Sequence, residues 1–240
     1  MQNFLSFLNN LSDKTFGMRF QPSSEARLSK VRMRLIREFN CGTVIDVGAN
    51  RGDWAKRVRQ EGYRGEIVSY EPSNVYQYLE QRAKNDSSWK TRNVALSDAL
   101  GFATFYTASN DNLSSSLLEP KEILHEHSHI QFSPGAQVCT TRLDNETFHG
   151  SDLYLKIDVQ GAEQKVLSGA ENLFSQLAVI EFESSIIQLY RDETNHYELA
   201  NFLLEKGFQP QQVVVTHWDE NLSTVSLDSI FYNSRIRDRL

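Results

Sequence analysis

Apolar residues gather in short, dense runs along this chain, and the polar stretches between them carry apolar positions at helical spacing. Val44, Ile45 and Val47 form one run, and residues 67–70, 91–96, 153–158 and 177–182 supply others. Runs of this length without strict alternation predict strands buried on both faces of a parallel sheet. Between them, Trp54, Ala55 and Val58 share one helix face, as do Val166, Leu167 and Ala170, and Leu199, Phe202 and Leu203. The pattern predicts helices after residue 52 and over 73–85, 162–174 and 197–206, the last closed by Gly207. Such alternation means an α/β fold, with a mostly parallel sheet and helices on both faces. Residues 213–215 and 227–232 predict two last strands; the short polar loop between them makes that pair antiparallel. A hairpin-like pair over 101–107 and an extra strand over 137–143 interrupt the alternation. Between these, 109–135 is polar and reads as a long loop, of the kind that covers sites.

Residues 1–42 precede the first strand and read as an N-terminal helical cap on a single domain over 43–240. Phe4, Leu5, Phe7, Leu8 and Leu11 share one face of a short helix; Leu28, Val31, Leu35 and Ile36 mark a second, ending near Asn40-Cys41-Gly42. The 240 residues suit one α/β core, and no run is long and apolar enough for a membrane span. A net charge of -6 argues against a general nucleic-acid binder. Two cysteines, Cys41 and Cys139, make no disulfide framework; they read as reduced thiols of a cytoplasmic protein, with Cys139 in the core.

The candidate chemistry centres on residues 43–54. Gly48, Asn50 and Gly52 alternate directly after the first strand, the composition of a tight turn that lets the backbone approach a ligand. A helix N-terminus should follow, with free N–H groups facing the turn. Glu71 ends the second strand about 20 residues beyond the turn, where nucleotide-binding α/β folds place a ribose acceptor. Asp46, Glu71, Asp98, Asp158 and Glu181 all stand at or near strand ends and outline a cleft at the carboxyl edge of the sheet. The glycine spacing is not that of a dinucleotide fingerprint, which disfavours a nicotinamide-dependent oxidoreductase. A non-catalytic nucleotide-binding protein stays open as an alternative.

Six ordered motifs carry a resemblance. They are 44–52 (VIDVGANRG), 70–72 (YEP), 93–98 (NVALSD), 112–117 (NLSSSL), 141–144 (TRLD) and 155–163 (LKIDVQGAE), with 166–170 (VLSGA) and 180–183 (IEFE) continuing the pattern. The chain resembles the FkbM family of S-adenosylmethionine-dependent methyltransferases over about residues 40–233. That resemblance implies a Rossmann-like seven-stranded sheet, mostly parallel with an antiparallel last strand, and S-adenosyl-L-methionine as cofactor. It implies that Asp46, Gly48, Ala49, Asn50 and Gly52 line the methionine end of the cofactor, and that Glu71 accepts its ribose hydroxyls. Ala95, Leu96, Ser97 and Asp98 would flank adenine, and Asp158 and Val159 would sit under the sulfonium. Gln160 departs from the family pattern, which commonly has glutamate there.

The resemblance also implies O-methylation of a hydroxyl on a small molecule, a sugar or a polyketide-like natural product, with glycans among the acceptors. An acceptor hydroxyl must lose a proton, and the candidate bases are Asp158, Glu181 and His217. Lys156, two residues before Asp158 on one strand face, is placed to pair with it or to hold a substrate oxygen. His125, His127 and His129 lack tetrahedral spacing and read as a solvated face, so no metal is assigned. A divalent ion between Asp158 and Glu181 or Glu183 is the alternative.

Overall fold

The computed structural model describes residues 23–124, 130–150 and 152–238. The helix expected over 4–11 and the histidines at 125, 127 and 129 lie outside them. Helix α1 (Ser24–Glu38) opens on Ser23, whose side chain accepts from the Ala26 N–H, and Asn40 turns left-handed just beyond its end. The main sheet follows with strands β1 (Thr43–Val47), β2 (Glu66–Tyr70) and β3 (Trp89–Arg92), joined by helices α2 (Asp53–Gln60) and α3 (Tyr76–Ala83). A short strand β4 (Ala95–Leu96) leaves this sheet and joins β5 (Gly101–Ala108) and β6 (Phe132–Thr141) in a second, three-stranded one. The chain then returns through β7 (Leu153–Ile157), α4 (Glu163–Ser168), β8 (Leu177–Ser185), α5 (His196–Glu205), β9 (Phe208–Trp218), β10 (Thr224–Asn233) and α6 (Ser234–Arg237).

The main sheet has seven strands in the order β3-β2-β1-β7-β8-β10-β9. Pairing is parallel from β3 through β8, and β10 runs antiparallel to both of its neighbours. The last strand of the chain is therefore the reversed one, as the short final loop predicts. Strand order changes direction between β1 and β7, the place where open α/β sheets leave a crevice at the carboxyl ends.

Both faces of the sheet are covered. Val44, Ile67 and Tyr154 pack one way, against Leu28, Leu35, Ile36 and Phe39 of the N-terminal segment and Ala55, Val58 and Leu79 of α2 and α3. Ile45, Val47, Leu155 and Ile157 point the other way, against Val166 and Leu167 of α4 and Leu199 and Leu203 of α5. Alternate residues of each strand thus serve different cores. Helix α1 contributes to the same core as the sheet.

Four sequence expectations change. The strand expected over 91–96 is two, because β3 stops at Arg92 and Ala95–Leu96 pair with Thr140 and Thr141 in the small sheet. The helix expected over 162–174 stops at Ser168: Gly169 lies on the Ser97 carbonyl, where a Cβ would come within 2.1 Å, and a 3-10 turn over Glu171–Leu173 follows. The hairpin over 101–107 is a single strand, whose partner β6 begins inside the expected loop, at Phe132. Cys139 is exposed while Cys41 is buried, since Cys139 faces outward on β6 opposite Phe102. Among the described residues no helix is long and apolar enough to cross a membrane.

Candidate active site

Two clefts of about 610 Å³ each open at the carboxyl edge of the sheet, and Asp158 lines both. The first lies over β1 and β2. Gly48 has φ +74°, and a Cβ there would stand 1.8 Å from the carbonyl oxygen of Asp158. Only glycine permits that contact between the turn and the end of β7. Asn50, also left-handed at φ 48°, donates its backbone N–H to the Glu71 carboxylate at 2.8 Å, and Ser73 donates its own N–H to the other oxygen at 2.9 Å. Glu71 so locks the turn to the end of β2 while remaining in the cleft wall. Val94, Ala95, Leu96 and Val159 make that wall apolar, and Asn112, Leu113 and Ser115 close its outer side.

The segment expected as an open loop is tied down across this cleft. Asn50 Nδ2 donates to the Asp111 carbonyl, Arg51 pairs with the Asp111 carboxylate at 3.1 Å, and Ser116 bridges to Tyr106 through two backbone bonds. The Tyr190 hydroxyl donates to the Ser114 carbonyl at 2.7 Å from the loop after β8.

Beneath the turn a polar row crosses four strands in register: Ser69, Asp46, Lys156 and Glu181. Trp89 Nε1 donates to Ser69 Oγ, and Ser69 Oγ donates to Asp46, each at 3.0 Å. Lys156 Nζ lies 3.5 Å from Asp46 and 3.4 Å from Asp158. Burial works to lower its pKa, but the carboxylates of Asp158 and Asp46 outweigh it and hold the ammonium charged. At the far end Arg32 of α1 donates to both oxygens of Glu181, at 2.8 and 2.6 Å, and the Tyr154 hydroxyl donates at 2.5 Å. Burial would raise the Glu181 carboxyl; the Arg32 charge and these hydrogen bonds bring it below the usual carboxylate range.

The second cleft lies over β7, β8, β9 and β10. Trp54, Thr216, His217, Glu183 and Asp228 line it beside Lys156, Asp158 and the buried Arg32–Glu181 pair. Gln160 Nε2 donates to Asp158 at 2.8 Å and to Glu183 at 3.1 Å, standing between the two carboxylates. Burial first, then the charges of Asp158, Asp228 and Glu163, drive Glu183 well above its ordinary range. Asp228 is pushed up to about 7 by burial and by Glu181 and Asp158. Among the described residues no group of three His, Cys, Asp or Glu side chains is arranged to hold a metal ion.

Of the expected cofactor residues, Gly48, Asn50, Glu71, Ala95, Leu96, Asp158 and Val159 line the first cleft. The others stand elsewhere. Asp46 is fully buried in the polar row, because its position on β1 points it under the turn. Ala49 packs in the core, and Gly52 starts α2 against Leu79 and Trp89. Ser97 and Asp98 follow β4 outside the cleft lining; Asp98 accepts from Ser97 Oγ and faces Lys165. Of the expected bases, Asp158, held by Lys156 and Gln160, and His217, bonded to Ser226 Oγ, line the second cleft, and Glu181 there is an ion-pair partner whose oxygens are taken.

Arg32, Gln160 and Asp228 were not among the expected site residues. Arg32 had a signal: it falls four residues after Leu28 on an apolar helix stripe, where a charge demands a buried partner.

The profile described as methyltransferase FkbM domain matches residues 46–210. The 2-O-methyltransferase NoeI of Sinorhizobium fredii (strain NBRC 101917 / NGR234) is 26% identical over 199 residues, covering 79% of this chain and 81% of that protein. Among solved structures, a putative S-adenosylmethionine-dependent methyltransferase from Listeria monocytogenes aligns with TM-score 0.48 and 10% identity, over 85% of this chain and 96% of that one. Magnesium protoporphyrin IX methyltransferase (ChlM) from Synechocystis PCC 6803, with bound SAM, also aligns with TM-score 0.48 and 10% identity, over 95% of this chain and 96% of that one.

Proposed function

The chain belongs to the FkbM methyltransferase family, and from that premise we propose that it methylates a hydroxyl of a sugar-bearing small molecule, the cofactor entering by the first cleft and the acceptor by the second. The observation that carries this reading is Asp158, the one residue in both cleft linings. Two ligands filling separate clefts would meet there.

The first cleft fits S-adenosylmethionine. Its turn approaches Asp158 so closely that no side chain fits at Gly48, Glu71 presents a carboxylate suited to ribose hydroxyls, and Leu96 and Val159 offer apolar surface to a base. Gly48, Asn50, Glu71, Ala95, Leu96, Asp158 and Val159 would hold it, and residues 111–115 would shield it from water. Bound there, S-adenosylmethionine would supply a methyl carbon on cationic sulfur for in-line transfer to an acceptor oxygen, and the hydroxyl proton would be left for this chain's own residues to remove.

The second cleft supplies what a polyol needs: carboxylates and an imidazole to accept hydroxyl hydrogens, and Trp54 as a flat apolar wall. The relative's activity as a 2-O-methyltransferase supports oxygen as the accepting atom. Lys156 steadies Asp158, and His217 stands at the rim. Calorimetry should give micromolar binding of S-adenosylhomocysteine, roughly -8 kcal/mol. Labelled cofactor should then pass its methyl group to a member of a panel of neutral glycosides. No heat and no thermal shift at millimolar ligand would remove the cofactor reading; transfer to amines alone would remove the hydroxyl.

A further inference from the structure

We propose that Glu183 is the proton acceptor of the transfer, and that it holds a proton until a cation stands beside Asp158 in the neighbouring cleft. The proposal rests on the methyltransferase reading above and names the base within it.

The geometry crowds like charges around Glu183. Gln160 donates from one nitrogen to Glu183 and Asp158 together, with its own backbone held left-handed at φ 55°. Asp228 of β10 is the register partner of Glu183 on β8. Asp158 approaches from the end of β7 and adds negative charge; Glu163 of α4 adds its own only where it ionises, above about pH 8. From β9, His217 Nδ1 lies 3.7 Å away at an exposed rim, and Ser226 Oγ donates to Glu183 at 3.3 Å. Nearby cations are already engaged. Lys156 is divided between Asp46 and Asp158, and Arg32 is committed to Glu181. Carboxylates that share a site and lack a cation cannot all ionise, so one keeps its proton. Glu183 stands between the others, bridged to Asp158 by Gln160 and opposite Asp228 across the strand pair, so burial and both neighbours bear on it.

A positive charge in the first cleft, at Asp158, removes the obstacle. Glu183 then loses its proton to solvent and becomes a competent base only once the methyl donor is present. During the transfer it takes the hydroxyl proton, and the cycle ends with a neutral thioether and a protonated Glu183, the state from which it began. The other candidates are paired with committed cations: Asp158 lies 3.4 Å from Lys156 Nζ and Glu181 is held by Arg32, whereas Glu183 accepts from the uncharged Gln160 amide and Ser226 hydroxyl beside the rim imidazole.

The test needs no acceptor. S-adenosylmethionine and S-adenosylhomocysteine differ by one methyl group and one positive charge. Calorimetric titrations at neutral pH, in buffers of different ionisation enthalpy, count the protons released by each. The wild-type protein should release close to one proton more with S-adenosylmethionine, and the affinity ratio of the two ligands should rise about tenfold per pH unit below the pKa of Glu183. Glu183→Gln should bind both ligands and lose the difference. Equal release in the wild type overturns the proposal, even if the variant does not fold. So does a difference that survives in Glu183→Gln, or one that disappears in His217→Gln, which would give the proton to the imidazole. If neither ligand binds at all, the methyltransferase reading fails and takes this inference with it.

Discussion

Glu71 and Glu163 show how much a single carboxylate does here. The distance to the glycine turn picked out Glu71 in the sequence, and the structure sets it in the wall of the first cleft; its contact with the Asn50 and Ser73 N–H groups was not legible, because that depends on how the turn folds back. Glu71→Ala should therefore weaken S-adenosylhomocysteine by about 1.5–3 kcal/mol and also lower the unfolding midpoint, since two backbone donors lose their acceptor. Calorimetry and thermal unfolding on the same variant check both, and an unchanged dissociation constant would refute the ribose assignment. Glu163 is buried, accepts the N–H groups of Val159 and Gly161, and is pushed up to about 8 by burial. An unfolded glutamate titrates near pH 4.3. Between those values the native protein holds one more proton than the unfolded chain, so stability falls as pH rises, by up to about 1.4 kcal/mol per pH unit for this group. Glu163→Gln should flatten the decline in urea midpoint between pH 5.5 and 8. Parallel curves for variant and wild type would show that Glu163 ionises freely in the fold.

At the scale of elements, the strand runs and helix stripes were readable because burial on both faces of a parallel sheet leaves a continuous apolar signature. Where that reading failed, a long-range contact decided. Ala95 and Leu96 pair with Thr140 and Thr141 outside the main sheet, and the Ser97 carbonyl lies so close to Gly169, at the end of α4, that only glycine fits there. The polar row is likewise invisible to local pattern, since Asp46, Lys156 and Glu181 sit in three separate strands that meet only through register. Its anchor is α1. Arg32 is 1% exposed and bidentate to Glu181, so Arg32→Met would leave a buried carboxylate without its cation, at a cost of about 3–5 kcal/mol. The double variant with Glu181→Leu should recover most of that loss in denaturant unfolding. Equal stability of the wild type and Arg32→Met would show that the pair contributes nothing.

Across the whole molecule, the turn at the switch point made part of the first cleft legible, because Gly48, Asn50 and Glu71 fall in two short motifs, although the rest of its lining comes from β4, β5 and the segments after β5 and β7. The second cleft was less so: Trp54, Asp158, Glu183, His217 and Asp228 come from five elements or their ends, and no spacing links them. The two linings share a single residue, and that separation has a kinetic consequence. Neither ligand must pass through the other's cleft, so each should enter and leave whether or not the other is bound. Initial rates should follow a random rather than an ordered sequence. An acceptor analogue lacking the reactive hydroxyl should then inhibit noncompetitively against S-adenosylmethionine. Uncompetitive inhibition would mean that the second cleft forms only after the first is filled, and that the loop over residues 111–115 governs both.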